Sequence, residues 1–224
     1  MRTNTMILLA LAGATAFSAP ALADDNQYWQ TASVSVNLGD GYQVQNELTL
    51  RTSDARGFYE VENALMLGHA VDKHVTVWGG YVHNPTYLHG DFRVMERRAR
   101  GQINFEKYKL GDLEVGGRIR VESRWRDGVA GNAWRVRPYV KLALPVANEG
   151  KTKLVMTQEA FINLNTTGYQ RQDGWERTRS FVGVNTPLLK NVSIEGGYLL
   201  QHGWVRNGPD TNDHVFALTV SAKF

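Results

Sequence analysis

Cysteine is missing from all 224 residues. That removes disulfide staples, thiolate metal sites, cysteine nucleophiles and a lipidated-cysteine anchor in one step. Long apolar runs are scarce as well. Past the first two dozen residues, no stretch approaches the ~20 apolar residues that a helical membrane span requires. A dominant charge sign is also lacking: 25 Lys and Arg stand against 22 Asp and Glu, for a net charge of +3. No polybasic tract is present to grip a phosphate backbone, so no nucleic-acid partner is expected. The glycine pairs Gly79-Gly80, Gly116-Gly117 and Gly196-Gly197 follow no phosphate-loop spacing. They suit sharp curvature or close packing in a wall, and no cofactor is expected.

The one apolar run sits at the start. Arg2 opens a short basic segment, Met6 to Phe17 is apolar, and Ala21-Leu22-Ala23 precedes Asp24. The run is too short to span a membrane, and the small residues suit signal-peptidase cleavage after Ala23. Residues 1–23 are therefore expected to be a cleaved signal peptide, and 24–224 one exported domain.

From Trp29 onward the chain alternates. Ala32, Val34, Val36 and Leu38 interleave with Thr31, Ser33, Ser35 and Asn37, and Gly39-Asp40-Gly41 supplies a tight turn. The same period of two returns segment after segment and ends at the last residue. Phe216, Leu218, Val220, Ala222 and Phe224 share one face of the closing strand, with Ala217, Thr219, Ser221 and Lys223 on the other. This ending resembles the C-terminal signal that the barrel-assembly machinery reads, so Phe216, Leu218, Val220 and Phe224 are its candidate residues and that machinery a candidate partner.

Runs of about 9 to 13 residues match a tilted membrane crossing and exceed the usual ~5 to 6 of soluble strands. The 42% hydrophobic composition suits a barrel in which only alternate residues meet lipid. The expected fold is all-β: an antiparallel transmembrane up-and-down β-barrel of ten to twelve strands in the outer membrane of a Gram-negative bacterium. About eleven segments can be counted, whereas single-chain bacterial barrels are even-numbered, so ten or twelve is expected. Asn84 to Asp91, Arg126 to Asn132, Leu164 to Trp175 and His202 to Asn212 fall at one end as expected outer loops. Gly39 to Gly41, Asp72-Lys73, Tyr108 to Asp112 and Leu188 to Asn191 are the tighter opposite turns. Tyr42, Tyr59, Tyr81, Trp125, Trp134 and Phe224 are expected outward as an aromatic girdle, and Pro138 should weaken the pairing of its strand.

Trp29, the Glu96, Arg98 and Arg100 series, Gln158-Glu159 with Asn163, Arg179 with Gly183, and terminal Phe224 together resemble the outer-membrane barrel proteins grouped as domain of unknown function 2490. That resemblance covers nearly all of the exported part. It implies a barrel and carries no assigned activity.

The face opposite the apolar one holds the chemistry. Glu47, Glu60 and Glu62 lie on the second and third strands. Arginines dominate the fifth to seventh, with Arg98, Arg100, Arg118, Arg120, Arg124, Arg135 and Arg137, joined by Glu96 and Glu122. Glu159 and Arg179 follow on later strands. Two readings stay open. In one, the set lines a narrow, anion-preferring pore; in the other, the signs pair across a closed structural barrel, because charges withdrawn from water must find partners.

A rival reading comes from His83, His89, His202 and His214, which fall near the outer rim beside Asp91, Asp210 and Asp213. That combination admits a surface enzyme acting on lipid or peptide. The spacing fits no tight metal motif and no serine-histidine signature, so neither a metal site nor catalytic residues are assigned. Arg93, Arg97, Arg171, Arg177 and Arg206 at the rim could meet lipopolysaccharide phosphates, which with outer-membrane lipids are the expected surroundings.

Overall fold

The computed structural model describes residues 24–224, so the expected signal peptide, 1–23, lies outside the described residues. Eleven strands close into one barrel: β1 (Asp25–Gly39), β2 (Tyr42–Ser53), β3 (Gly57–Ala70), β4 (Val75–Leu88), β5 (Asp91–Leu110), β6 (Leu113–Arg126), β7 (Ala133–Ala147), β8 (Thr152–Asn163), β9 (Gly174–Leu189), β10 (Val192–Gly203) and β11 (Thr211–Lys223). The period of two sorts side chains as a membrane wall requires. Leu65 and Leu67 are 54% and 52% exposed, while Ala64 and Met66 between and beside them are 1% and 5% exposed. Likewise Ile119 and Val121 point outward and Arg120 and Glu122 inward.

The even strand count is overturned. A chain that reverses at every turn brings its eleventh strand back in the direction of its first, so the closing pair must be parallel. β1 and β11 do pair in parallel, from Asp25 opposite Asp213 to Ser35 opposite Lys223, while every other neighbour is antiparallel. Parallel bonds are slanted and slightly weaker, and this seam has added fastenings. The Phe224 amide donates to the Ser35 carbonyl at 2.9 Å, and the Asn37 amide donates to the Phe224 carbonyl at 2.8 Å. On the outer face Tyr28 stacks on Phe216 with ring centroids 5.6 Å apart.

The connections divide by length. Residues 40–41, 71–74, 111–112, 148–151 and 190–191 turn the chain at one end, and 54–56, 89–90, 127–132, 164–173 and 204–210 at the other, the loop end. Gly39, Asp40 and Gly41 all have positive φ (89°, 50° and 79°), a conformation glycine adopts without steric cost. In the turn after β3, the Asp72 carboxylate accepts the His74 and Val75 amides at 2.6 and 2.8 Å, which holds its pKa below the usual value.

Two local departures from the expected pattern, and one expected interruption, have physical causes. Asn84 to Leu88 is strand rather than loop, so only residues 89–90 turn there. Pro85 has no amide to donate, and the β3–β4 pairing is interrupted between Asn63 opposite His83 and Glu60 opposite Thr86, with the register kept. Asn84 Nδ2 donates to the Val61 carbonyl at 2.7 Å within that gap. Tyr59 is not in the girdle. A bulge sets Arg51 opposite Glu60 and Thr52 opposite Phe58, and the extra residue swings Tyr59 inside, where it is 6% exposed and donates to Gln27 Oε1 at 2.7 Å. Pro138 interrupts its ladder as expected: β7–β8 pairing skips from Val136–Ile162 to Tyr139–Glu159 without a change of register.

Odd parity puts the two ends of residues 24–224 on opposite sides of the wall. Because the chain has no cysteine, single cysteines report this cleanly. A membrane-impermeant maleimide added from one side should label Asp24→Cys together with Gly208→Cys and spare Lys190→Cys. Co-labelling of Asp24→Cys with Lys190→Cys would mean an even-numbered barrel.

Candidate functional site

Because successive strand residues alternate faces, β5, β6 and β7 deliver runs of charge to the interior: Glu96, Arg98 and Arg100; Arg118, Arg120, Glu122 and Arg124; Arg135 and Arg137. Carboxylates arrive there from β3 and β8. Four glutamates form a belt across the lumen, and each is held by three arginines. Glu122, with a side chain fully shielded from solvent, meets Arg100 at 2.9 Å, Arg135 at 2.7 Å and Arg137 at 3.2 Å. Glu62 meets Arg100 at 2.7 Å, Arg98 at 3.0 Å and Arg51 at 3.5 Å. Glu159 meets Arg118 at 2.8 Å, Arg137 at 2.9 Å and Arg179 at 4.0 Å. Glu96 meets Arg98 at 2.7 Å, Arg126 at 2.8 Å and Arg124 at 3.0 Å.

Arginines shared between carboxylates join these clusters into one network. Arg137 spans Glu122 and Glu159, Arg100 spans Glu62 and Glu122, and Arg98 spans Glu62 and Glu96. Glu60 extends it to Arg51 at 2.8 Å. Breaking such a pair strands a charge out of water and costs about 3–5 kcal/mol, although the intact pair adds little net stability.

Two aromatic side chains brace the belt from within. Phe161 is fully buried, with the guanidinium carbons of Arg137 and Arg179 at 4.3 and 4.6 Å from its ring centre. Trp29 receives Arg51 at 4.3 Å and Arg179 at 4.6 Å. Such cation–π contacts fix the guanidinium planes as well as attracting them. The sequence carried a signal for Phe161, which is in phase with Glu159 and Asn163 on the wet face, but polarity alone gave no reason to seek an aromatic there. Nor did it show that the 164–173 loop turns inward. Gln170 of that loop is buried and accepts from Arg124 Nη1 at 3.1 Å. Its neighbour Tyr169 donates to the Arg124 carbonyl at 2.5 Å, and burial raises the phenol pKa, keeping it a donor.

Of the interior residues singled out in the sequence, the belt gathers Glu60, Glu62, Glu96, Glu122, Glu159, Arg98, Arg100, Arg118, Arg124, Arg135, Arg137 and Arg179. Glu47 and Arg120 face the same lumen, and neither makes an ion pair among the described residues. A cavity of about 590 Å³ lies on the loop side of the belt, bordered by Arg56, Arg126, Tyr169 and Arg177. Another of about 270 Å³ lies on the turn side, bordered by Thr31, Glu47, Arg118, Arg120 and Tyr139. Phe216, Leu218, Val220 and Phe224 are on the outward face of β11 or at its end.

The histidines do not converge. His83 is on the outer face of β4 and His89 in the turn that follows it. On the far side of β1, His202 bonds Asn212 at 2.8 Å and approaches Asp210 at 3.5 Å, and His214 bonds Tyr198 at 2.7 Å. Among the described residues no cluster of three or more His, Asp or Glu is placed to hold a metal. Three of the rim arginines already have acidic partners: Arg97 pairs with Asp127, Arg177 with Glu176 and Arg206 with Asp173.

Comparison with known proteins agrees with this architecture. Among solved structures, LpxR from Salmonella typhimurium superposes with a TM-score of 0.50 at 11% identity, covering 80% of this chain and 83% of that one. At that identity the likeness is one of fold. An uncharacterized protein of Methylorubrum extorquens is 24% identical over 231 residues, covering 100% of both chains. The family model described as "Protein of unknown function (DUF2490)" matches residues 26–212, nearly the whole barrel, and the chain therefore belongs to that family.

Proposed function

We propose that this protein is an outer-membrane barrel whose lumen is plugged by its own side chains, a closed structural barrel in preference to a conducting pore. The observation that carries this reading is the belt: four glutamates, each ligated by three arginines, with Glu122 and Arg100 almost wholly shielded from solvent at mid-barrel. An open anion path needs arginines with free edges facing water. Here most of those edges are occupied by carboxylates from the same or nearby strands, with at most one strand between.

The apolar outer face and closed edge suit residence in lipid, and the outward Phe216, Leu218, Val220 and terminal Phe224 suit delivery by the barrel-assembly machinery. With the short turns in the periplasm and the longer loops outside, the 590 Å³ cavity faces the exterior. Lipids and lipopolysaccharide surround the wall, with Arg93 and Arg171 exposed for phosphate contact at that end.

In planar bilayers the wild type is expected to be silent. The triple variant Glu122→Ser, Arg137→Ser, Glu159→Ser removes the centre of the belt and should conduct in discrete steps. Steps of comparable size from the wild type would overturn the closed reading. The belt should also reveal itself in stability. Glu122→Gln leaves three arginines facing a neutral amide and is expected to lower the unfolding free energy in urea by about 3–5 kcal/mol. Glu149→Gln, at the exposed Glu149–Lys151 pair, should leave it unchanged.

A further inference from the structure

Among the described residues, every arginine of β2, β5, β6, β7 and β9 that faces the lumen meets a carboxylate, except Arg120. Arg120 is 7% exposed. Its Nε donates to Gln102 Oε1 at 2.6 Å, and its two terminal nitrogens have no acceptor among the described residues. Gln102 in turn donates to Asn104 at 2.6 Å, and Asn104 to the exposed Glu106 at 3.2 Å, so the group that Arg120 itself meets is a neutral amide.

The charges around Arg120 are mostly of its own sign: Arg100, Arg118 and Arg137. Of the carboxylates nearby, Glu122 is committed to Arg100, Arg135 and Arg137, Glu159 to Arg118, Arg137 and Arg179, Glu62 to Arg98 and Arg100, and Glu195 to Lys141, while Glu47, which borders the same cavity, makes no ion pair with Arg120. A cation withdrawn from water among like charges is unfavourable unless an anion joins it.

Arg120 borders the 270 Å³ cavity on the turn side, and so do the means to hold such an anion. Arg118 leaves its Nε without a partner and lies over the Tyr139 ring at 4.2 Å. Hydroxyls of Tyr139, Thr157 and Thr219 complete the wall from β7, β8 and β11. Farther toward the turns, Lys141 and Glu114 keep about a third of their side-chain surface exposed, at 37% and 35%, so solvent reaches the interior from that end.

We propose that this cup is a binding site for a small, multiply charged oxyanion, a phosphate or phosphomonoester, anchored by Arg120. The paired terminal N–H groups of a guanidinium match two oxygens of such an anion bidentately. A second arginine and several hydroxyls address the remaining oxygens, more than a simple carboxylate presents. The volume admits a small solute and excludes an intact lipid or a polymer. The site does not depend on whether the barrel conducts.

The test uses the chain from residue 24 onward, folded in detergent, titrated calorimetrically with inorganic phosphate, glycerol 3-phosphate and acetate. Thermal unfolding is followed in parallel, because a ligand that binds only the folded state raises its stability. Saturable one-to-one binding of phosphate or glycerol 3-phosphate, at least tenfold tighter than acetate, is expected. Tighter binding of the ester assigns a phosphomonoester; tighter binding of the inorganic ion assigns free phosphate.

Arg120→Gln should weaken binding at least tenfold while leaving the unfolding temperature in phosphate-free buffer unchanged or higher, since it removes an uncompensated charge. A merely structural arginine would lower that temperature instead. Unchanged binding in Arg120→Gln overturns the proposal. So does a wild type that binds neither phosphate compound yet stays silent in bilayers, a result that leaves the closed-barrel reading standing. Should Arg120→Gln fail to fold, Tyr139→Phe and Thr157→Val each remove a cup hydroxyl without altering charge and should weaken phosphate binding severalfold; full-strength binding in both also counts against the site.

Discussion

The exchange of carboxylates among arginines at mid-barrel is the interaction on which this structure turns. Burying a lone ion is prohibitive, and burying an ion pair is roughly neutral when its geometry is good. Glu62, Glu96, Glu122 and Glu159 can therefore occupy the interior only because arginines arrive from several strands at the right heights. That requirement fixes register. Sliding one of these strands by a residue would turn its charges to the lipid and its leucines and valines into the lumen, so the belt and the apolar wall specify the same alignment.

The belt also divides the interior. A cavity remains on each side of it, and the two differ in character. The loop-side cavity is roofed by Tyr169 and Gln170, and its arginines are largely matched by Glu60, Glu96 and Glu176. On the turn side, Arg120 is left without a counter-charge. Packing alone does not favour such a residue, since a neutral side chain would fill the position without repulsion. Within a family that carries no assigned activity, this imbalance is the feature that most sets the interior apart from a purely structural filling.

Strand parity has consequences of the same local origin. Eleven alternating runs demand one parallel pair, and the seam between β1 and β11 is where the terminal phenylalanine is tied in through both its amide and its carbonyl. The residue that resembles an assembly signal in the sequence is thus also a closing bond of the barrel. The bulge at Tyr59 belongs with these details. One extra residue turns a girdle aromatic into a lumen side chain, where its hydroxyl also accepts from the Trp29 indole at 3.0 Å.

Alternation along the chain is enough to read the class of object and the face on which most charges lie, because lipid outside and ions inside impose opposite chemistries on adjacent residues of one strand. Ile119 and Val121 against Arg120 and Glu122 can be assigned from period two alone. The closed barrel sets what period two does not encode: which arginine meets which glutamate on nearby strands, how β1 and β11 close, where bulges shift the phase and where prolines interrupt a ladder. It sets, too, that the histidines of the rim stay apart and that, among the described lumen-facing arginines, Arg120 is the one without a carboxylate. Those outcomes depend on heights and distances between strands far apart in the chain. A charge pattern along one strand carries no measure of its separation from another.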